Sequence, residues 1–184
     1  MERSIRFRLL ICAVATLLFC NCGGVDQVEQ PAPPTRAEVT LTTIGHLQSG
    51  PTGTMMIGTI ELMLILPDGA TVQAQPDPAN NSILIAGSDV VVPTGVAAGT
   101  NTLVLATYTA ATVGTPGSVA VHLLNPNGFA TGNFVKVNCD ITPGTSPTQS
   151  NTVVSNFAPG DLDGFSIPTG ASGLNVAISS ITLK

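Results

Sequence analysis

The chain has 184 residues and a formal net charge of −5, with 6 lysines and arginines against 11 aspartates and glutamates. A protein so poor in positive charge has few groups that can neutralise phosphates, which argues against nucleic acid as a partner. Anionic lipid headgroups are disfavoured for the same reason.

The first nineteen residues have the layout of a secretory signal peptide. Arg3, Arg6 and Arg8 precede an apolar run from Leu9 to Phe19, and this positive-then-apolar order is typical of export signals. The run is too short to span a membrane, for which about 20 residues are needed. We expect residues 1–19 to be removed, and the loss of three arginines and one glutamate would change the formal charge from −5 to −7.

Cys20 and Cys22 lie where a bacterial lipoprotein signal places the cysteine that becomes acylated. Leu17 lies three residues before Cys20, as in such signals, but Phe19 and Asn21 are larger than the small residue that normally precedes the cysteine. Two hypotheses stay open. Either Cys20 or Cys22 carries a lipid that holds the protein on a membrane surface, or the signal is an ordinary secretory one with two incidental cysteines.

The sequence also bears on where such a lipoprotein would reside. Neither cysteine is followed by aspartate, the residue that commonly retains lipoproteins at the inner membrane. This favours the outer membrane or the cell surface, with secretion as the alternative if no lipid is attached.

Residues 20–37 are predicted to form a flexible, lipid-anchored tether. Pro31, Pro33 and Pro34 lie among glutamates and glutamines, a composition that favours an extended, solvated spacer. The folded domain is then expected over residues 38–184, an ordinary size for one domain with its own core.

From Glu38 onward, short runs rich in Val, Ile, Leu and Thr alternate with clusters of Gly, Pro, Asn and Asp. This pattern predicts strands separated by turns, and about ten of them at this spacing predict a sandwich or a barrel. The predicted strands are 38–44, 57–66, 71–75, 82–85, 90–92, 102–108, 118–124, 133–141, 152–157 and 174–183.

In the segment from Phe134 to Ile141 one side is apolar and the other polar, which predicts a strand with one face in the core and one in water. The apolar side reads Val135, Val137, Cys139 and Ile141, and the polar side Lys136, Asn138 and Asp140. Cys139 falls on the apolar side and is predicted to be a buried, inert side chain. It is the one cysteine beyond the tether. The domain therefore cannot be held together by a disulfide of its own.

Three further local features are predicted along the chain. Residues 60–66 are apolar at nearly every position, which indicates a central strand covered on both sides. The Asn-Pro-Asn-Gly sequence at 125–128 predicts a turn. In the last strand, the apolar residues change parity between Ile178 and Ile181, which predicts a β-bulge near Ser179 and Ser180.

The sequence contains few candidates for catalysis. Hydrolysis needs a nucleophile, a base and an orienting group that converge, and the two imidazoles are His46, near an early strand end, and His122, inside an apolar strand. No serine lies in a nucleophile-elbow pattern, and the domain lacks the several His or Cys ligands of a zinc site. We therefore predict a non-enzymatic protein.

A calcium site is the one cofactor site that the sequence suggests. Asp161 and Asp163 lie two residues apart ahead of Gly164, a beginning that calcium loops share. The residues that follow, 165–168, lack further acidic ligands. Two interpretations stay open, a calcium site formed by Asp161 and Asp163 and a polar turn between strands.

The order of features in the second half of the chain resembles that of cohesin domains. The matching stretches are 118–123, a glycine-rich turn, 132–137, 143–146 and 161–164, and 60–69 is similar to the early core strand of cohesins. Cohesins are jelly-roll sandwiches in the same broad superfamily as several cellulose-binding modules. The resemblance therefore implies an all-β, jelly-roll-like β-sandwich of about nine strands. The tyrosine-aspartate turn that many cohesins carry after the second strand is missing, so a dockerin partner does not follow.

Two functions remain as hypotheses. The first is a scaffold or binding module on the cell surface that recognises a protein through a sheet face and its rim loops, and the alternative is a carbohydrate-binding module acting on extracellular polysaccharide. Apolar side chains clustered on one outward face would indicate the first, and a groove lined by Asn, Asp and an aromatic ring the second. The lack of tryptophan and the single tyrosine, Tyr108, argue against a flat platform for crystalline polysaccharide.

Overall fold

The computed structural model describes residues 32–47, 49–50, 53–99 and 101–184. The predicted signal peptide, the acylation of Cys20 or Cys22 and most of the predicted tether lie outside these residues. Residues 33–184 form one compact unit. In the part of the chain that the structure describes, no helix has the length and apolar character needed to cross a membrane.

The described residues form thirteen β-strands and one short 3₁₀ turn at Gly95–Ala97. The strands are β1 (Arg36–Gly45), β2 (Ser49–Gly50), β3 (Gly53–Thr54), β4 (Ile57–Ile65), β5 (Ala70–Thr71), β6 (Ala74–Pro76), β7 (Leu84–Ala86), β8 (Val91–Pro93), β9 (Leu103–Thr109), β10 (Ser118–Phe129), β11 (Gly132–Ile141), β12 (Val153–Gly160) and β13 (Leu174–Leu183). The strand predicted at 71–75 is in fact two short strands, β5 and β6. The strand predicted at 174–183 is confirmed as β13, with the same first and last residues.

The strands form two antiparallel sheets that share one core. In the first sheet the order is β13-β1-β11, and both β5 and β8 pair with the far side of β11. In the second sheet the order is β12-β4-β10-β9-β7-β6, and β2 and β3 form a separate hairpin. Buried side chains from both sheets belong to a single apolar cluster. The predicted all-β sandwich is confirmed.

The alternation predicted in β11 is confirmed. Val135, Val137 and Cys139 are buried, whereas Lys136 and Asn138 are half-buried on the outer side. Burial raises the pKa of the Cys139 thiol to about 12, because the thiolate would lose its hydration. Cys139 is therefore a core side chain and not a reactive thiol.

The prediction for residues 60–66 is confirmed in one respect and wrong in another. β4 lies inside the second sheet, between β10 and β12, so the strand is central. It is covered on one side only. Ile60, Leu62 and Leu64 enter the core, but Glu61 is exposed and Met63 is half-buried on the outer side. The apolar residues on the outer side of β4, such as Met63, are therefore part of the domain surface, because no second layer of described residues covers them.

The prediction of a turn at 125–128 is wrong, because these residues lie within β10. Leu124 pairs with Thr59 and Phe129 with Ile57, so the four residues between them bulge opposite the single residue Gly58. Asn125 supports the bulge. Its side-chain amide donates to Thr102 Oγ1 at 2.9 Å, and its Oδ1 accepts from the Asn127 amide at 2.9 Å. The chain reverses later, between β10 and β11.

The bulge predicted in the last strand is confirmed. Thr40 of β1 pairs with Ser180, and the next residue, Leu41, pairs with Ile178. Ser179 is therefore the extra residue, and its hydroxyl donates to the carbonyl of Thr40 at 3.2 Å. The bulge lets Val176, Ile178 and Ile181 all pack against the core despite their change of parity.

An ion-pair network covers the outer face of the first sheet. Glu38 of β1 is half-buried between two lysines, with Oε1 2.9 Å from Lys136 Nζ and Oε2 2.8 Å from Lys184 Nζ. Arg36 Nε lies 3.4 Å from Asp140 Oδ1 on the same face. The two lysines donate to the Glu38 carboxylate and hold its pKa below the usual value.

Glu38 should make folding stability depend on pH. Because its pKa is lower in the folded than in the unfolded chain, its contribution is present above about pH 4.5 and is lost as pH falls through the folded pKa. We expect Glu38→Gln to lower the free energy of unfolding by about 0.5–1 kcal/mol at pH 7. The difference should vanish in acid, as followed by urea unfolding between pH 7 and 2.5. Glu61→Gln, on the other sheet, is the control and should change stability less; equal losses would contradict this role.

The burial of Cys139 predicts slow thiol chemistry. At pH 8 the thiolate fraction should be lower than that of an ordinary cysteine by a factor on the order of 10³, and the side chain is also out of reach of a reagent. We expect peptide mapping after iodoacetamide treatment to find Cys139 unmodified in the folded protein and modified in urea. Modification in the native protein as fast as in urea would contradict the packing described here.

Candidate functional site

Three exposed leucines lie side by side on the outer face of the second sheet. Leu103, Leu105 and Leu124 are 64%, 54% and 46% exposed. Leu124 of β10 pairs directly with Leu103 of β9, and the next outward residue of β10, His122, pairs with Leu105. We call Leu103, Leu105 and Leu124 the leucine face.

The leucine face arises because β9 is apolar on both sides. Its inward residues, Val104 and Ala106, pack in the core, while its outward residues at 103 and 105 are also leucines. A strand with one side in water normally alternates apolar and polar residues. The outward leucines of β9 therefore do not contribute to folding as core residues do.

A shallow cleft of about 380 Å³ crosses this part of the sheet. Its lining comes from three neighbouring strands, residues 59–61 of β4, 103–105 of β9 and 122–124 of β10. Adjacent exposed apolar side chains around such a depression are typical of a surface that another molecule covers.

Charge is distributed unevenly between the two sheets. Glu61 Oε1 lies 3.5 Å from His122 Nδ1 at the border of the leucine face. By contrast, the lysines and arginine of the described residues, Arg36, Lys136 and Lys184, all belong to the ion-pair network of the first sheet. The leucine face is thus apolar with an acidic border, and it has no lysine or arginine of its own.

Asp161 and Asp163 lie on the turn after β12, and the structure uses the first carboxylate within that turn. Asp161 Oδ1 accepts from the amides of Asp163 and Phe165, at 3.0 and 2.8 Å. Within the described residues, no group of three or more His, Cys, Asp and Glu side chains is placed to hold a metal ion. A calcium site at this turn stays a prediction from the sequence.

The two histidines lie in different parts of the structure. His46 follows β1 of the first sheet and is exposed, and His122 lies in β10 of the second, beside Glu61. The partner of His122 is Glu61, and neither the hydrogen bonds nor the clefts of the described residues include both imidazoles.

A polar groove of about 320 Å³ lies on the first sheet. Gln73, Asp89 and Asn138 contribute to it, together with members of the ion-pair network, and its lining contains no aromatic ring. Tyr108 is buried in the core, and the exposed Phe165 lies on the turn after β12. The groove thus lacks the ring expected of a sugar site.

The sequence pattern predicts β9 and β10 as strands but does not reveal the leucine face. The signal is present in the run Thr102 to Tyr108, where both parities are apolar at the start of the strand. Periodicity does not distinguish an apolar outward residue that is covered within the domain from one that is left exposed. Only the pairing of Leu103 with Leu124 brings the leucines together.

No protein-family model matches the chain, and no curated protein matches it. Among solved structures, the chain is similar to a non-cellulosomal cohesin from the hyperthermophilic archaeon Archaeoglobus fulgidus. The two share 17% sequence identity with a TM-score of 0.44, over 73% of this chain and 74% of that chain.

Substitutions at Asp161 distinguish the two interpretations of this segment, a polar turn and a calcium site. Asp161→Ala leaves the amides of Asp163 and Phe165 without their acceptor and should lower the free energy of unfolding by about 1 kcal/mol. Asp161→Asn keeps Oδ1 and should match the wild type within about 0.5 kcal/mol. We expect this order by urea unfolding in calcium and in chelator alike. Stabilisation of the wild type by calcium that Asp161→Asn abolishes would instead establish the calcium site.

Proposed function

We propose that the chain is a non-enzymatic binding module of the bacterial cell surface that recognises a protein partner through the leucine face. The observation that carries this proposal is the adjacency of Leu103, Leu105 and Leu124, which are exposed on a sheet face although each is a residue type normally buried. Burying a fully exposed leucine side chain contributes about 1.5–3 kcal/mol, and these leucines, 46–64% exposed, would each gain roughly half of that. Three together supply the apolar centre of an interface.

The border of the leucine face defines the chemistry of the partner. Glu61 is exposed beside His122, and the arginine and lysines of the described domain lie on the other sheet. A partner that places apolar side chains on the leucines and a lysine or arginine near Glu61 would be complementary in both respects. A polyanion or a sugar without apolar groups would not be.

The proposed location follows from the N-terminal sequence. Removal of residues 1–19 and acylation at Cys20 or Cys22 would fix the protein to the outer membrane or the cell surface through a lipid. The proline-rich tether would separate the domain from that surface. Mass spectrometry of the N-terminal peptide of the protein from its own host would identify an acylated cysteine, a plain cleaved terminus or the uncleaved signal.

Site-specific photocrosslinking in the host that exports the protein tests the leucine face. We expect a photoreactive residue at position 105 to give a discrete adduct with a protein, identified by mass spectrometry. The same residue at Val113, which is fully exposed on the hairpin between β9 and β10, is the matched control and should give none. Equal adducts at both positions, or none at 103, 105 and 124, would contradict the proposal.

Two substitutions then measure the interface with the identified partner. Leu105→Asp should weaken binding about tenfold or more while lowering the free energy of unfolding by only about 1 kcal/mol, because the side chain is half exposed and aspartate is a poor strand former. Glu61→Lys should weaken binding by opposing the partner's cation. Binding that is unchanged in both variants, measured by calorimetry, would show that the partner docks elsewhere.

A further inference from the structure

β13 is the end strand of the first sheet and has an open side. It pairs with β1 along its whole length, and no other strand of the described residues pairs with it. Its ten residues contain no proline and no charged side chain. At its start this side is occupied, because the Leu174 amide donates to the Pro168 carbonyl at 2.8 Å. Beyond that point the strand presents a row of backbone hydrogen-bonding groups that no other strand covers.

The hydrogen-bond pattern shows which residues face the open side. Lys184 and Arg36 exchange both backbone hydrogen bonds, at 2.8 and 3.0 Å, so the next pair, Leu183 with Ala37, is a non-hydrogen-bonded pair. The N–H and C=O of Leu183 therefore point away from β1, and those of Ile181 do so for the same reason. Before the bulge, the carbonyl of Ile178 also points outward. There it accepts from the Gln149 side chain at 3.1 Å.

The side chains of β13 show that the sandwich is incompletely closed along this edge. Val176, Ile178 and Ile181 face the core but are only half-buried, and Leu183 is 41% exposed. By contrast, Leu174 at the start of the strand is fully buried. A further strand beside β13 would cover the half-buried row with its own inward side chains.

The other edges of the two sheets are protected in ways that β13 is not. β6, β8 and β12 contain Pro76, Pro93 and Pro159, and a proline removes a donor from an edge. β12 also bulges around Asn156, which has a positive φ of 53°. β5 has only two residues. β13 has the bridge from Leu174 to Thr169, the Gln149 cap and one bulge, and all three leave the stretch after Ser179 open.

We propose that the open side of β13 binds β13 of a second copy of this chain, in antiparallel orientation about a two-fold axis perpendicular to the first sheet. Such an axis keeps the core-facing side of both strands on the same side, so the half-buried rows of the two copies become continuous. Backbone hydrogen bonds of Ile181 and Leu183 would join the two sheets into one. This surface is separate from the leucine face, which lies on the other sheet.

The distribution of charge limits where a second copy can dock, and β13 is a stretch that allows it. The described residues contain three lysines and arginines against eight aspartates and glutamates, so two copies repel each other over most of their surfaces. β13 is a ten-residue stretch without charge, which makes it a surface where copies meet without opposing like charges. In the antiparallel pair, the two Lys184 side chains lie at opposite ends. β13 of the second copy also has the apolar, uncharged side chains that could cover the half-buried row of the first copy.

The test combines the mass of the particle with hydrogen exchange of β13. The exported protein with its own N-terminal segment is studied in one detergent over a range of concentrations up to about 1 mM. We expect sedimentation to show a monomer-to-dimer transition, and exchange at the amides of Ile181 and Leu183 to slow about tenfold or more on dimerisation. Leu183→Lys should abolish both effects, because it places a charge in the joined apolar row. Thr182→Lys carries the same charge on the outer side of the strand and should abolish neither.

Three results would overturn the proposal. These are a monomer at every concentration, a dimer in which the β13 amides exchange as fast as in the monomer, and dimerisation of Leu183→Lys equal to that of the wild type. Should Leu183→Lys fail to fold by circular dichroism, the concentration dependence of exchange in the wild-type protein decides alone. None of these results bears on binding at the leucine face, which the crosslinking at position 105 tests separately.

Discussion

The fold depends on the placement of alternate side chains of each strand in one shared core. β1 shows the constraint most clearly, because it lies between β11 and β13 and is paired on both sides. Val39 and Leu41 point into the core and Glu38 points out. A shift of the register by one residue would place Glu38 in the apolar layer, at a free-energy cost far above that of any surface contact. The pairing of the first sheet is therefore fixed by burial.

Irregularities in the strands preserve this constraint where the sequence breaks the two-residue period. The extra residue at Ser179 keeps Ile178 and Ile181 on one side of β13. Between β1 and β11, Leu41 pairs with Val135 and Thr42 with Asn133. Phe134 is therefore an extra residue in β11, and it is buried beside Val135. Each bulge costs a backbone pairing locally. Each also gains an apolar side chain in the core, which is the larger effect.

Period-two burial also explains which features sequence analysis predicts correctly. The burial of Cys139 and the bulge near Ser179 follow from the order of apolar and polar residues alone. The turn at 125–128 fails because Asn, Pro and Gly suit a bulge as well as a reversal, and the choice depends on Thr102, which is distant in sequence. The two-sided burial of 60–66 fails because residues such as Met63 tolerate partial exposure.

The candidate site is less predictable than the fold, because it depends on which residues of different strands lie side by side. Leu103 and Leu124 belong to different strands, and their contact exists only in the paired register of β9 and β10. The sequence analysis anticipates a protein-binding sheet face as a class of surface, but it names no residue of it. The site residues that the sequence names within the described domain, Asp161 and Asp163, lie together because they are two positions apart, and not because the tertiary structure collects them.

The two proposed surfaces have a geometric relation that bears on binding strength. A two-fold axis perpendicular to the first sheet at β13 leaves the second sheets of both copies on the same side of the joined first sheet. Both leucine faces would then point in the same general direction, away from the shared sheet, and be free to bind at once. A partner that is itself dimeric or repetitive would be held by both, so its second contact would form at a high effective concentration. Interfaces that are individually weak would thus act together at a surface, with no additional contact in either one.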